Sequence, residues 1–174
     1  MKTINGLRIA LLLGVIGITG ERSFAATPEN VLRDYLGVQS TLARDSMKNV
    51  SLNAHALADA VRGDSTKSLP AIIAEQADAL AKAKNLDKAR NVFKRLSESL
   101  IAHVKTNGAP RGTYYEVYCP IAKASWLQAG ETVSNPYLGT RAATPTWGWA
   151  CSGVVKAKFT GPPGKDQTDG GLLR

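Results

Sequence analysis

The stretch at residues 85–106, NLDKARNVFKRLSESLIAHVKT, decides the fold of this chain. Its apolar residues recur at intervals of three and four, the spacing that places them on one face of an α-helix. The positions on this face are Ala89, Phe93, Leu96, Leu100 and Val104. Asn107 and Gly108 end the helix, since glycine favours a helix C-terminus, and Pro110 prevents the helix from resuming. The stretch therefore predicts a long amphipathic helix whose apolar face is covered.

Three further helices are predicted upstream from the same period. Thr27-Pro28-Glu29 is a start signal, with a capping hydroxyl, proline at the first helical position and then an acid. The second helix stops at Gly63, and the third opens at Ser68-Leu69-Pro70. The inward positions of the three helices are Val31, Tyr35, Val38 and Leu42; Val50, Ala54, Leu57, Ala58 and Val61; and Ile73, Ala77 and Leu80. Because the connections are short, neighbouring helices are expected to run antiparallel.

The pattern changes after Gly112. Residues 113–118, TYYEVY, are rich in β-formers and predict a strand, and residues 150–159 predict a returning strand. Residues 126–139 are interpreted as turns. We therefore expect a mainly α fold, an antiparallel four-helix bundle with a small C-terminal strand/turn cap. One domain would span residues 26–160, and the polar, glycine-rich residues 161–174 are predicted to be a disordered tail.

The first 25 residues have the features of a signal peptide. Lys2 and Arg8 give a positive start, and the apolar run at residues 9–18 is too short for a bilayer, which needs about 20 residues. Ser23-Phe24-Ala25 places small residues at a cleavage site before Ala26. The mature chain is expected in the periplasm or outside the cell, with no membrane anchor after cleavage. An uncleaved anchor is the alternative.

The formal net charge of +8 allows contact with nucleic acid, anionic lipid or an acidic partner. The densest run of cations consists of Lys82, Lys84, Lys88, Arg90, Lys94 and Arg95. It lies on helical sequence, so a solvated helix face is the expected reading. Phe93 is the aromatic residue within this run, and it falls on the core face. A nucleic-acid groove is therefore not predicted.

The sequence gives no pattern for hydrolytic catalysis. The only histidines are His55 and His103, and each lies at the edge of an apolar helical stripe. The chain contains no Gly-x-Ser-x-Gly elbow, His-Glu-x-x-His motif or P-loop. We therefore predict no catalytic residues and a protein that is not an enzyme.

Cys119 and Cys151 allow two functional interpretations. Two cysteines of one exported domain usually oxidise to a disulfide, and a loop of this length gains roughly 3–4 kcal/mol in the chain-entropy model. Alternatively, the two thiolates are ligands of a soft metal, for which Cu(I) is the natural candidate. The disulfide is the preferred interpretation, and free thiols are the third alternative.

Three tryptophans, Trp126, Trp147 and Trp149, flank the cysteine-containing segment. Their ordinary role would be to pack this segment onto the bundle. The Trp-x-Trp pair before Cys151 is also a candidate patch for binding a protein partner, together with Trp126.

These segments together resemble an uncharacterised bacterial periplasmic domain family with the outline R-x-x-F-x-x-L-S, Y-C-P-M-A, W-L, N-P-Y-Y-G and C-G. The matching residues run from Arg90-Asn91-Val92-Phe93 to Leu96-Ser97, then Tyr118-Cys119-Pro120-Ile121-Ala122, Trp126-Leu127, Asn135-Pro136-Tyr137-Leu138-Gly139 and Cys151. The family occurs alone or fused to adaptor proteins of heavy-metal (copper/silver) efflux. The resemblance covers about residues 28 to 155.

The resemblance implies an exported, non-enzymatic accessory or binding protein related to heavy-metal efflux adaptor domains, with a metal-efflux component as partner. It also implies weak Cu(I) or Ag(I) binding by Cys119 and Cys151, and no other cofactor is predicted. The chain departs from the family where Ile121 replaces a methionine and where residues 142–149 replace a Met-Leu pair. The alternative function is a structural protein-interaction domain that is stabilised by a Cys119–Cys151 disulfide and has no metal role.

Overall fold

The computed structural model describes residues 28–143 and 151–163. Four helices come first: α1 (Pro28–Ala43), α2 (Val50–Arg62), α3 (Ala71–Ala81) and α4 (Leu86–Asn107). They are followed by β1 (Thr113–Cys119), β2 (Ala124–Gln128), a 3₁₀ helix (Gly139–Ala143) and β3 (Val154–Thr160). The predicted signal peptide at residues 1–25, the residues Trp147 and Trp149, and the predicted tail from residue 164 onward lie outside the described residues.

The four helices form where the apolar period predicts them, and each packs against the next along the chain. On α4 the predicted face is buried, with Phe93 and Leu96 fully inaccessible. The Asn85 side chain caps this helix by accepting from the Lys88 N–H at 2.9 Å. At its other end Gly108 has φ 85°, a backbone conformation that favours glycine. The local signals of capping and periodicity are therefore sufficient for the helical layer.

The prediction of a mainly α bundle with a small strand/turn cap is wrong. The chain forms four helices plus a three-stranded antiparallel sheet, in the order β2-β1-β3. β2 overlaps the start of the stretch at residues 126–139 that was interpreted as turns. Trp126 and Leu127 are adjacent residues of β2, and both are fully buried. The strand therefore shows no alternation of apolar and polar residues. A strand that is covered on both faces has no period-two signal in its sequence.

One face of the sheet packs on the helices. Glu116 on β1 lies opposite Leu127 on β2, and its carboxylate pairs with Lys105 on α4 at 2.7 Å. β2 contacts both α4 and α1, so it fills the space between the first and last helices. The sheet is therefore a structural layer of the core.

The described residues between β2 and β3, 129–143 and 151–153, form a covering segment on the opposite face of the sheet. Val117 lies opposite Trp126 on this face, and both side chains are fully buried. Gly153 approaches so closely that a Cβ there would overlap with both of them. The described molecule thus has three layers: helices, sheet and covering segment. None of its described helices is long and apolar enough to cross a membrane.

Candidate functional site

Cys119 and Cys151 are joined by a disulfide bond, with their Cα atoms 6.3 Å apart. Cys119 ends β1 and is fully buried, and Cys151 is 7% exposed. The bond ties the sheet to the far end of the segment that covers it. Both sulfur atoms are therefore engaged, as the preferred interpretation of the sequence expects.

Asn135 organises the turn that lies under the disulfide. This side chain is buried, and its amide donates to the Cys151 carbonyl at 2.9 Å. Its Oδ1 accepts from the Tyr137 N–H at 2.9 Å and from the Leu138 N–H at 3.1 Å. An asparagine that bonds to backbone two and three residues ahead closes a tight turn. Asn135 therefore fixes the start of the Asn-Pro-Tyr-Leu-Gly segment.

Arg90 anchors the same segment to the bundle. The guanidinium is only 7% exposed, and it donates to the Pro136 carbonyl at 2.8 Å and to the Leu42 carbonyl at 3.0 Å. It also pairs with Asp45, just beyond α1. The prediction that the cationic run forms a solvated face is therefore wrong at Arg90, where tertiary partners replace water.

Asp45 receives a second set of bonds from Thr140, whose N–H and hydroxyl donate to Oδ2 at 2.9 and 2.6 Å. The Thr140 hydroxyl and the Arg90 guanidinium lower the pKa of Asp45 to about 2. Gly139 has φ 60°, and a Cβ at this position would overlap with Asp45 Oδ1. A glycine is therefore required by both the backbone conformation and the close approach.

Hydroxyl groups close the free edge of β2. The Leu127 N–H donates to the Tyr35 oxygen at 3.1 Å, and the Tyr137 hydroxyl donates to the Ser125 carbonyl at 2.8 Å. The Ser97 hydroxyl lies between the two tyrosines, 2.7 Å from the Tyr35 oxygen and 3.3 Å from the Tyr137 oxygen. Each hydroxyl carries one proton, so these groups form one directed chain from the Leu127 N–H to the Ser125 carbonyl.

Aromatic rings surround this hydroxyl chain. Tyr35 stacks on Phe93 with 4.9 Å between ring centroids, and Tyr137 meets Phe93 at 6.0 Å and Trp126 at 5.8 Å. Burial raises the pKa of Tyr35 and Tyr137, with the bond to Ser97 opposing the shift in each case. Both hydroxyls therefore stay protonated and act as structural hydrogen-bond donors.

The two motif segments of the sequence thus meet in space. Arg90, Phe93 and Ser97 on α4 contact Pro136 and Tyr137 after β2. These contacts dock the covering segment onto the helices. This contact was not recognised from the sequence, because the two segments are separated by a strand pair.

The predicted partner-binding tryptophans do not form one described surface. Trp126 is fully buried, and its indole N–H donates to Gln128 Oε1 at 3.1 Å. Its ring therefore packs the covering segment, which is the ordinary role considered above. Trp147 and Trp149 lie outside the described residues, so their candidate role stays a prediction.

The histidines remain apart from the cysteines. His55 is exposed on α2. His103 is half-buried beside an apolar cavity of about 250 Å³ at the end of the bundle, where Pro28, Leu69 and Pro110 also line the wall. Burial lowers the pKa of His103, and the Asp64 carboxylate opposes this shift.

In the described residues, Cys119 and Cys151 are the candidate ligands for the metal interpretation. Across residues 28–143 and 151–163, no group of three or more His, Cys, Asp or Glu side chains is arranged to hold a metal ion. Ile121 is 52% exposed. Metal binding through Cys119 and Cys151 would require both sulfurs as free thiolates.

The returning strand predicted at residues 150–159 is present as β3 (Val154–Thr160), but its exposure was not predicted. Val154 and Val155 are 55% and 45% exposed. The Lys156 and Lys158 ammonium groups each lie 5.6 Å from a tyrosine ring centroid on β1. Alternating lysines among apolar residues were the available signal for an exposed edge strand.

Comparison with known proteins gives one match. A family model described as "Protein of unknown function (DUF3347)" matches residues 31–112. This range covers the four helices and ends before β1, so the sheet and both cysteines lie beyond it. No curated protein and no solved structure matches the chain. The helical layer is thus similar to an uncharacterised family.

Proposed function

We propose that this protein is an exported, non-enzymatic binding domain that engages a protein partner. The observation that carries the proposal is that the motif residues form structural bonds within the fold. Cys119 is bonded to Cys151. The polar groups of Arg90, Ser97 and Tyr137 form hydrogen bonds that hold the covering segment in place. Residues that are engaged in this way shape and rigidify a surface, which is what a binding domain requires.

The buried disulfide supports the interaction role over the metal role. Thiolates are the species that bind Cu(I), and a disulfide offers none. An oxidising compartment outside the cytoplasm favours the bonded state. The disulfide therefore acts as a permanent tie between the sheet and its covering segment.

The partner proposed is a component of a heavy-metal efflux system. Support for this comes from the resemblance of residues 90–151 to domains that are fused to efflux adaptors. The domain would act beside the metal pathway as an accessory protein.

The test is a thiol count combined with partner capture. Protein from the exported fraction is alkylated with and without reductant and weighed by mass spectrometry. We expect both cysteines to resist alkylation until they are reduced. Capture of a defined partner is expected to persist with a Cu(I) chelator present. Free thiols together with capture that needs Cu(I) would overturn the proposal, and so would the absence of any saturable partner.

The second candidate function is Cu(I) or Ag(I) binding by the reduced protein. The short separation of Cys119 and Cys151, 6.3 Å between Cα atoms, favours it because two thiolates there are able to share one ion. The reduced protein is titrated with Cu(I) against a chromophoric chelator, beside Cys119→Ser with Cys151→Ser. Equal Cu(I) retention by the two proteins excludes this function, and retention by the wild type alone supports it.

A further inference from the structure

The outer edge of β3 is open in the described molecule. The sheet order β2-β1-β3 places β3 at the boundary, and no strand of residues 28–143 or 151–163 pairs with its other side. The exposed positions of the strand are Val154, Val155, Lys156, Lys158 and Thr160. A strand edge carries unpaired N–H and C=O groups that are ready to bond to another extended chain.

A β-bulge gives this edge a distinctive charge pattern. The register of β1 against β3 shifts between Glu116 and Val117. Lys158 consequently lies over Tyr115, and Lys156 lies over Tyr118. Because Tyr115 and Tyr118 are an odd number of residues apart on one strand, they point to opposite faces of the sheet. A strand added at this edge would meet one lysine on each face.

Neither lysine is neutralised within the described parts of the chain. No carboxylate there forms a salt bridge with Lys156 or Lys158. The nearby acids already have partners, since Glu116 pairs with Lys105 and Glu131 accepts from the Tyr115 hydroxyl. The edge therefore keeps two positive charges that form no salt bridge in the described chain, beside exposed valines.

These charges discriminate between occupants of the edge. A second copy of the chain would bring its own lysines against Lys156 and Lys158, and like charges on paired strands are destabilising. The bulge also disfavours flat edge-to-edge pairing of two copies. An extended segment with carboxylates on both of its faces would instead pair with both lysines. Apolar side chains of the same segment would pack against Val154 and Val155.

We propose that the outer edge of β3 is the docking site for an extended acidic segment of a partner protein, which adds to the sheet as a fourth strand. The proposal rests on the proposed function, because it names the surface and the partner chemistry of the same binding domain. Main-chain hydrogen bonds would supply the affinity, and the lysines would select acidic sequences.

The test uses a fluorescein-labelled peptide of ten residues made of Thr, Val and Glu, with two adjacent central glutamates that point to opposite faces. Fluorescence anisotropy measures its affinity for the full chain. We expect saturable binding that falls about tenfold in Lys156→Glu with Lys158→Glu, since attraction becomes repulsion on both faces. The matched control is Lys82→Glu with Lys84→Glu, which changes the net charge equally on exposed residues of the loop between α3 and α4.

Two peptide controls separate strand addition from simple charge attraction. A peptide with lysines in place of both glutamates is expected not to bind. The acidic peptide methylated on every backbone nitrogen keeps its charge but donates no main-chain bond, and it is expected to lose binding. Equal binding of the methylated peptide, or an equal loss of affinity in the Lys82→Glu with Lys84→Glu control, would overturn the proposal.

Hydrogen exchange and sedimentation test the other occupants. Backbone amides of β3 are expected to exchange quickly in the free protein and slowly with the acidic peptide. Protection without peptide would mean that another part of this chain covers the edge, and a dimer lost on charge reversal would mean a second copy. Either result sinks the proposal. Partner capture that persists in Lys156→Glu with Lys158→Glu would reject this edge alone and leave the binding function standing.

Discussion

The two edges of the sheet present the same backbone chemistry and are treated in opposite ways. The edge of β2 is sealed inside the molecule, where the Tyr35 and Tyr137 hydroxyls bond to its N–H and C=O groups. The edge of β3 lies outside, flanked by Lys156 and Lys158. A strand edge buried without partners costs free energy, whereas an exposed one is satisfied by water and remains available.

The difference shows where this protein places stability and where it keeps a surface free. Sealing the β2 edge needs side chains from α1, from α4 and from the covering segment, so it couples three parts of the chain. The β3 edge needs none of them. Changes at the first edge are therefore expected to alter folding, and changes at the second to alter binding alone.

The largest effect is expected from breaking the disulfide, which holds the covering segment that delivers Tyr137 to the β2 edge. Cys119→Ser with Cys151→Ser is expected to lower the free energy of unfolding by about 3–4 kcal/mol through the lost loop constraint. Urea unfolding measures the loss. Wild type in reductant should show a similar shift, while the variant should not respond to reductant. A variant as stable as the oxidised wild type would show that the disulfide does not stabilise the covering segment at the β2 edge.

The next effect is expected from Tyr35→Phe, which removes the hydroxyl but keeps the ring stacked on Phe93. The Leu127 N–H would then be buried without an acceptor, at a cost of about 1–3 kcal/mol. Tyr118→Phe is the matched control on the sheet, since no bond of its hydroxyl is found in the described molecule, and a change within about 0.5 kcal/mol is expected. Equal unfolding free energies for the two variants would mean that the hydroxyl chain does not seal the edge.

The helices were predictable from the sequence because their signals are local. Periodicity acts within a few residues, and the structure confirms the predicted apolar faces. The hydroxyl chain was not predictable, since Tyr35 and Ser97 lie 62 residues apart and only the fold brings them together. Strand β2 was missed for a related reason, because Trp126 and Leu127 are buried on opposite faces.

The candidate site was predictable in part. Two cysteines in an exported chain favour a disulfide, and the structure has that bond. The partners of Arg90 were hidden, because a cation within a run of surface lysines has the same local pattern whether it is buried or solvated. The exposure of β3 was also missed, although its alternating lysines were an available signal of an exposed edge strand.

A smaller effect is expected at Asp45, which helps to position the segment that carries Tyr137. Its pKa is lowered from the ordinary 3.8 to about 2, so its ionised form stabilises the fold above pH 4. That contribution is lost as the pH falls from about 4 towards 2. Asp45→Asn is expected to cost about 1 kcal/mol at pH 7, a hydrogen-bond-sized loss.

Thermal unfolding across this pH range measures the contribution of Asp45. The difference in melting temperature between wild type and Asp45→Asn is expected to become smaller as the pH falls towards 2. Glu75→Gln on the exposed face of α3 is the control, and its gap to wild type should stay small throughout. A gap that widens on acidification would contradict the role of the ionised carboxylate.

The smallest effect on stability is expected at the open edge of β3. A small effect there would separate it from the β2 edge, where the side-chain hydrogen bonds support the fold. Lys156→Gln with Lys158→Gln removes both charges from β3, yet each lysine is exposed and unpaired within the described chain. The free energy of unfolding should change by no more than about 0.5 kcal/mol, as is usual for surface substitutions. Urea unfolding checks this, with Tyr35→Phe as the reference for a sealed edge. A loss comparable to that of Tyr35→Phe would show that the β3 edge supports the fold, and an edge that supports the fold is not free to receive a partner strand.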